Sequence, residues 1–249
     1  MFPTKKPFRI LAVAAFWLLL WQVLSLLVGK SVLLPPPLEV AKRLFSLSLE
    51  KSFWLSVGSS LLRVLLAFVL GTVLGALVAV LTFRFPLVRS FLSPLLSVIK
   101  ATPVASFIVL AFICLATSTV PVLTATLVVL PGVWANAETG LREIDPKLLE
   151  MAKAFRMPLS RRFTKIVLPS LKPYFLAAAH SAMGMAWKAG IAAEVICPYG
   201  ESLGHRLHDA KVYMETTDLF AWTAVVILLS VLLENLLLRL LGRKEASHA

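Results

Sequence analysis

Apolar positions run through this chain in long blocks rather than in alternation. Predominantly apolar runs cover about residues 10–28, 57–83, 104–116, 121–137, 173–196 and 219–241. Most approach the roughly 20 residues a helix needs to cross a hydrocarbon core about 30 Å thick. Isolated strands cannot satisfy their backbone there. The pattern predicts an all-α integral membrane protein with about six transmembrane helices. The third run is short, so residues 87–99 are expected to extend it or to lie beside it, with Pro103 breaking or kinking the join.

Between the first two runs, Leu34-Pro35-Pro36-Pro37 should end one helix. Leu38, Ala41, Phe45 and Leu49 then recur at helical spacing. They fit an amphipathic helix in the outer membrane interface or a plain surface helix equally well. No repeat, low-complexity tail or soluble second domain breaks the pattern, so residues 1–249 read as one transmembrane domain.

The largest polar segment, about residues 139–170, separates the fourth and fifth runs. Asp145 suits an N-cap and Pro146 the first helical position, so a short helix should start there. Leu148, Met151, Ala152 and Phe155 fall on one face, with Lys147, Glu150, Lys153 and Arg156 mostly elsewhere. Met157-Pro158 should end it, and residues 160–167 can form a second short helix before Leu168-Pro169. The pair is too polar for lipid. Its apolar face suits a groove on a cytoplasmic partner or the membrane surface.

Composition agrees: 59% of the 249 residues are hydrophobic, and mean hydropathy is +0.86. The net charge of +12 does not point to nucleic acid, because the basic residues sit in the connections between apolar runs rather than among aromatics in a soluble patch. Most of the 25 Lys and Arg fall on one side if both termini are cytoplasmic, while residues 197–218 on the other side carry Glu201, Asp209, Glu215 and Asp218. The first run contains Trp17 and Trp21 and lacks a small-residue cleavage site, which favours a retained helix over a signal peptide. Cys114 and Cys197 are expected to be packing residues, and His180, His205 and His208 form no convincing metal set. No G-x-x-x-x-G-K-S/T run is present, so no P-loop nucleotide site is expected on this chain.

Ionisable residues inside spans are costly and mark paths, partners or interfaces. Lys188 lies among small residues in the fifth run and either faces a solute path, snorkels to the headgroups or pairs with a carboxylate. Glu194 is about 240° further round the helix, so its partner must come from elsewhere. Arg63 and Glu234 are structural ion-pair candidates. Met183, Ala186, Trp187, Lys188 and Glu194 are the expected path-lining positions. Gly71, Gly75 and Ala79 form a small-residue stripe suited to close helix packing.

Residues 150–169 resemble the E-A-A-x-x-x-G-x9-I-x-L-P loop of ABC importer permeases. Glu150, Ala152, Ile166, Leu168 and Pro169 match in register, while Met151 replaces an alanine and Arg156 the glycine. Without that glycine, either Met157-Pro158 makes the turn, or Arg156 adopts a left-handed conformation at a cost of about 1 kcal/mol. The Leu-Pro-Pro-Pro entry, Ser60-x-x-Arg63, Asp145-Pro146, Ala186-Trp187, Ala192-Ala193-Glu194 and Ser202-x-Gly204 are similar to the nitrate, sulfonate, taurine and bicarbonate branch, whose members are also linked to thiamine-pyrimidine precursors and riboflavin.

The resemblance implies a permease in the bacterial inner membrane, without catalytic residues, metal or cofactor of its own. It implies a second permease, as a homodimer or pseudo-dimer, two ATPase subunits carrying ATP and Mg, and an extracellular or periplasmic substrate-binding protein. Leu148, Glu150, Met151, Ala152, Phe155, Arg156 and Ser160 would couple to the ATPases. The solute would be small, either anionic or like a vitamin precursor. An ATP-independent transporter or channel explains the spans and charge bias but not the loop register. A membrane enzyme lacks a polar catalytic cluster.

Overall fold

The computed structural model describes residues 5–242, with side chains from 11 to 240. Described residues form eleven α-helices and no strand: α1 Lys5–Val28, α2 Pro37–Ser48, α3 Lys51–Arg84, α4 Pro86–Ala101, α5 Val104–Cys114, α6 Val120–Arg142, α7 Pro146–Ala154, α8 Leu159–Arg162, α9 Leu168–Ile196, α10 Leu203–Val212 and α11 Thr216–Gly242. A π-helical turn, Phe163–Val167, joins α8 to α9. The expected cytoplasmic positions in residues 1–4 and 243–249 lie outside the described residues.

Four helices are long and apolar enough to cross a membrane: α1, α3, α6 and α11. The third expected span is not one helix. At 11 residues α5 reaches only about 17 Å, and it makes a span only with α4, from which it is bent by 103°. Thr102 in extended backbone and Pro103 make that bend. The sixth helical unit, α9, is long enough at 29 residues but carries Lys172, His180, Lys188 and Glu194. It begins at Leu168 rather than at the expected Pro173. Pro169 sits in its first turn, where a missing N–H costs little, and the wider π-turn bond from Leu168 N–H to the Phe163 carbonyl leads into it.

The core lies where α3, α6 and α9 meet. Lipid supplies no hydrophobic force between helices, so close backbone approach must hold them. A Cβ on Gly71 would stand 2.7 Å from Val129 Cβ, and one on Gly75 would stand 2.8 Å from the Leu130 carbonyl oxygen. The stripe is therefore a packing device, as its spacing suggests. Thr126 Oγ1 donates to the Ala67 carbonyl at 3.4 Å, and Trp134 Nε1 to Thr82 Oγ1 at 2.9 Å. On the next flank Gly190 admits Val64. Trp187 Nε1 donates to the Val226 carbonyl at 3.1 Å, tying α9 to α11.

The helix between the first two spans presents Leu38, Ala41, Phe45 and Leu49 outward. Its other face, Val40, Leu44 and Leu47, joins the core. Arg43 and Asp218 lock it to α11 at 2.6 and 2.7 Å, and the Asp218 hydrogen bonds hold the Arg43 guanidinium above its ordinary pKa. Cys197 packs as expected, its thiol pushed up by burial. Cys114 is exposed on this chain at the end of α5, which breaks at Leu115.

Gly75→Leu should therefore lower the thermal unfolding midpoint of the purified protein sharply, overpacking costing about 3 kcal/mol or more against a backbone carbonyl. Gly58, also within α3, has open space around a built Cβ. Gly58→Ala should raise the midpoint through helix propensity, a gain of up to about 1 kcal/mol.

Candidate functional site

The polar loop folds into a small platform. Asp145 caps α7 by accepting the Lys147 N–H at 2.8 Å, and Pro146 takes the first turn. Ile144, Ala152 and Ile166 form a buried cluster, with Leu141, Leu149, Met157 and Val167 around it. The end of α7 is a Schellman turn built without glycine. Met157 N–H reaches the Ala152 carbonyl and Arg156 N–H the Lys153 carbonyl, both at 2.9 Å. Arg156 takes φ +50°, so the left-handed alternative holds. Met157 does not make the turn itself but closes it, packing back near Ala152.

The apolar positions of α7 divide between two faces. Ala152, expected on the coupling surface, is 1% exposed and belongs to the internal cluster, because its small side chain lets Ile144 and Ile166 close over it. Leu148, Glu150, Met151, Phe155, Arg156 and Ser160 are exposed. Phe155 and Leu159, 78% and 80% exposed, flank the turn.

The expected path residues separate too. Met183, Ala186, Trp187 and Glu194 are buried in the chain's own core. In this conformation they pack against neighbouring helices of the same chain. Trp187 needs its hydrogen bond to α11, and Glu194 needs a cationic partner. Lys188 is exposed, on a stripe with Ala177 and Ser181. It has no ion-pair partner among the described residues. Glu234 leans over Gly184, with Oε1 2.9 Å from where a Cβ would stand, and does not pair with Arg63.

At the end of the bundle away from the platform, where α9 meets α10, the scattered motif residues converge. Arg63 donates to Glu194 Oε1 at 3.0 Å, and Ser60 Oγ donates to Oε2 at 2.6 Å. Ser60 Oγ also accepts the Leu203 N–H at 2.9 Å, and the Gly204 N–H reaches Glu194 Oε2 at 3.2 Å. Ser202 caps α10 through the His205 N–H. Glu194 is 2% exposed, and it is stable there because an arginine and the free amides of a helix N-terminus surround it. Gly204 has no room for a side chain: a Cβ would lie 2.2 Å from Glu194 Cβ. Ser56 and Ser59 extend the contact, bonding the Glu201 side chain and carbonyl in turn. His205 and His208 engage the carbonyls of Gly200 and Val195. No metal-binding group of His, Cys, Asp and Glu occurs among the described residues.

Sequence reasoning missed Glu138. It is buried near the loop end of α6, pairing with Arg142 at 2.8 Å and Arg89 at 3.0 Å. The Glu138–Arg142 spacing of one helical turn was its readable signal. Arg89 was not readable as a partner.

Gly204→Ala should destabilise the purified protein more than Ser60→Ala. The first forces the α9–α10 junction apart. The second leaves polar groups unsatisfied at about 1–3 kcal/mol. Thermal unfolding of both variants decides the order, and equal midpoints would refute this account of the glycine.

Residues 71–244 match the family described as binding-protein-dependent transport system inner membrane component. The taurine transport system permease protein of Escherichia coli is 25% identical over 230 residues, covering 90% of this chain and 83% of the relative. The bicarbonate transport system permease protein of Synechocystis sp. is 26% identical over 208 residues, covering 78% and 73%. Among solved structures, a chain of the MetNI methionine ABC transporter in an inward-facing conformation matches with a TM-score of 0.63 at 18% identity, covering 76% of this chain and 96% of that one. Spans, platform and family agree, and the chain belongs to the binding-protein-dependent inner membrane components as the permease subunit of an ABC importer.

Proposed function

We propose that two copies of this chain form the pore of an importer driven by two ATPase subunits seated on α7 and α8. The observation that carries this reading is the platform: α7 offers Leu148, Met151 and Phe155 outward, while a buried cluster keeps it rigid. A stiff helix with exposed apolar anchors suits a groove on a partner. ATP and Mg belong to that partner. Both termini and the platform are cytoplasmic in this reading, and the Glu194 clamp faces outward, where an external binding protein delivers the solute.

The solute is a small molecule bearing an anionic group, as in the relatives named for taurine and bicarbonate transport. The exposed stripe of α9, with Lys188 beside Ala177 and Ser181, supports a path along the seam between two copies. There the ammonium would draw the anion. ATP-driven closure rocks the helices between outward and inward exposure, and the solute biases that switch only as far as it binds one state better.

Glu150→Lys should abolish ATP-driven uptake while leaving membrane insertion and ATPase assembly intact. Normal uptake by the assembled variant would refute docking at α7. Lys188→Met should lower uptake at limiting solute and weaken solute-stimulated hydrolysis while basal hydrolysis survives. Unchanged uptake would return Lys188 to the headgroup region.

A further inference from the structure

We propose that Arg89 and Glu138 form a strut that makes α4 follow the coupling platform, so that Arg89 is a positioning residue for transport. This rests on the importer reading above and concerns how motion leaves the platform. Within its own chain α4 has little apolar anchoring. Only Leu96 among its residues is buried, and Leu87, Phe91, Leu95 and Val98 are all more than half exposed. Both of its ends are breaks in the helix: Phe85 is extended before it, and Thr102 and Pro103 follow it. The helix is thus a lever between two hinges, linked to α5 across a 103° bend.

The polar tie on this lever is specific. Arg89 Nε lies 3.0 Å from Glu138 Oε1, and Glu138 is 5% exposed on α6. Glu138 stands just ahead of the platform. The Glu143 N–H still bonds the Thr139 carbonyl at 3.0 Å, Ile144 is buried in the platform cluster, and Asp145 caps α7. Few free torsions separate Glu138 from α7, so a displacement of the platform moves its carboxylate, and Arg89 carries α4 along.

The same oxygen, Glu138 Oε1, also holds Arg142 at 2.8 Å. The two guanidiniums are similarly exposed, at 47% and 46%, yet only Arg89 reaches another helix. Removing either arginine leaves the buried carboxylate compensated by the other, so neither variant creates an unpaired buried charge. If the pair only neutralised Glu138, Arg89→Gln and Arg142→Gln would behave alike.

The test uses the permease assembled with its ATPase pair and external binding protein, and reads hydrolysis with the binding protein against hydrolysis without it. Arg89→Gln should cut that ratio about tenfold, within the usual range of coupling between sites, with basal hydrolysis kept. Arg142→Gln should leave the ratio near wild type, and Arg89→Lys should restore most of it. Equal effects of the two glutamine variants, or an unchanged ratio in Arg89→Gln, would overturn the strut. If Arg89→Gln does not assemble, spin labels at the exposed positions Phe91 and Thr139 in the otherwise native complex decide. Their separation within one copy should change by less than about 2 Å between resting and ATP-trapped states, the scale of small helix shifts. A larger change means α4 leaves α6, and the strut fails. Failure of the importer reading is a different result: no ATPase assembles with the chain at all.

Discussion

The close approach of α3, α6 and α9 is the constraint on which the rest of the structure depends. In water, burying leucine against leucine would hold such helices together. In lipid the tails are equally apolar, and that force vanishes. What remains is dispersion at short range, and it needs surfaces without side chains in the way. Gly71 and Gly75 provide one on α3, and Gly190 provides one on α9. The larger side chains go elsewhere: Leu62, Leu66 and Val73 of α3 point outward, where lipid or another subunit can meet them.

Small-residue packing fixes distance but little else, since one glycine groove resembles the next. Register and end positions are set by charges that must be satisfied. Glu194 pins α9 to α3 and to the start of α10, and Glu138 pins α6 to α4. The two carboxylates differ in kind. Glu194 is enclosed by an arginine, a serine and a backbone amide, so displacing it breaks several bonds at once. Glu138 shares one oxygen between two half-exposed guanidiniums, an arrangement that tolerates change at either. The first suits a fixed joint. The second suits a transmission point.

Much of this was legible in the sequence. The runs near 57–83, 121–137 and 219–241 became α3, α6 and α11, because length and apolarity alone decide a span. Asp145-Pro146 fixed the start of α7 by local capping chemistry. Legibility ended where tertiary partners decide. Nothing local distinguishes Ala152, which turns inward, from Met151, which turns outward, since both lie on one broad apolar face. Nothing local pairs Arg63 with Glu194, which stand 131 positions apart. Trp187 was expected on the path, and no local pattern shows that Val226 accepts its indole N–H and ties it to α11. The left-handed Arg156 was an open choice for a similar reason. Its strain of about 1 kcal/mol is tolerated because the two Schellman hydrogen bonds and the Met157 packing all require that one conformation.

With the ATPases seated on the platform as proposed, these features would leave two routes from it to the opposite face. One is α9 itself, which follows α8 through the π-turn without a break and runs 29 residues to Ile196, about 43 Å at a helical rise, passing Lys188 and ending beside the Glu194 clamp. The other leaves through Glu138 to α4 and turns the corner at Pro103 into α5. The first route is a continuous rod fixed at its far end, so it transmits displacement of the whole helix but resists bending. The second has a break at each end of α4, so it would convert the same displacement into rotation. A pore that opens alternately to two sides needs both, a rigid member to hold its wall and a hinged one to change its shape. The placement of glycines against the rod and of extended residues around the lever distributes those roles within one chain.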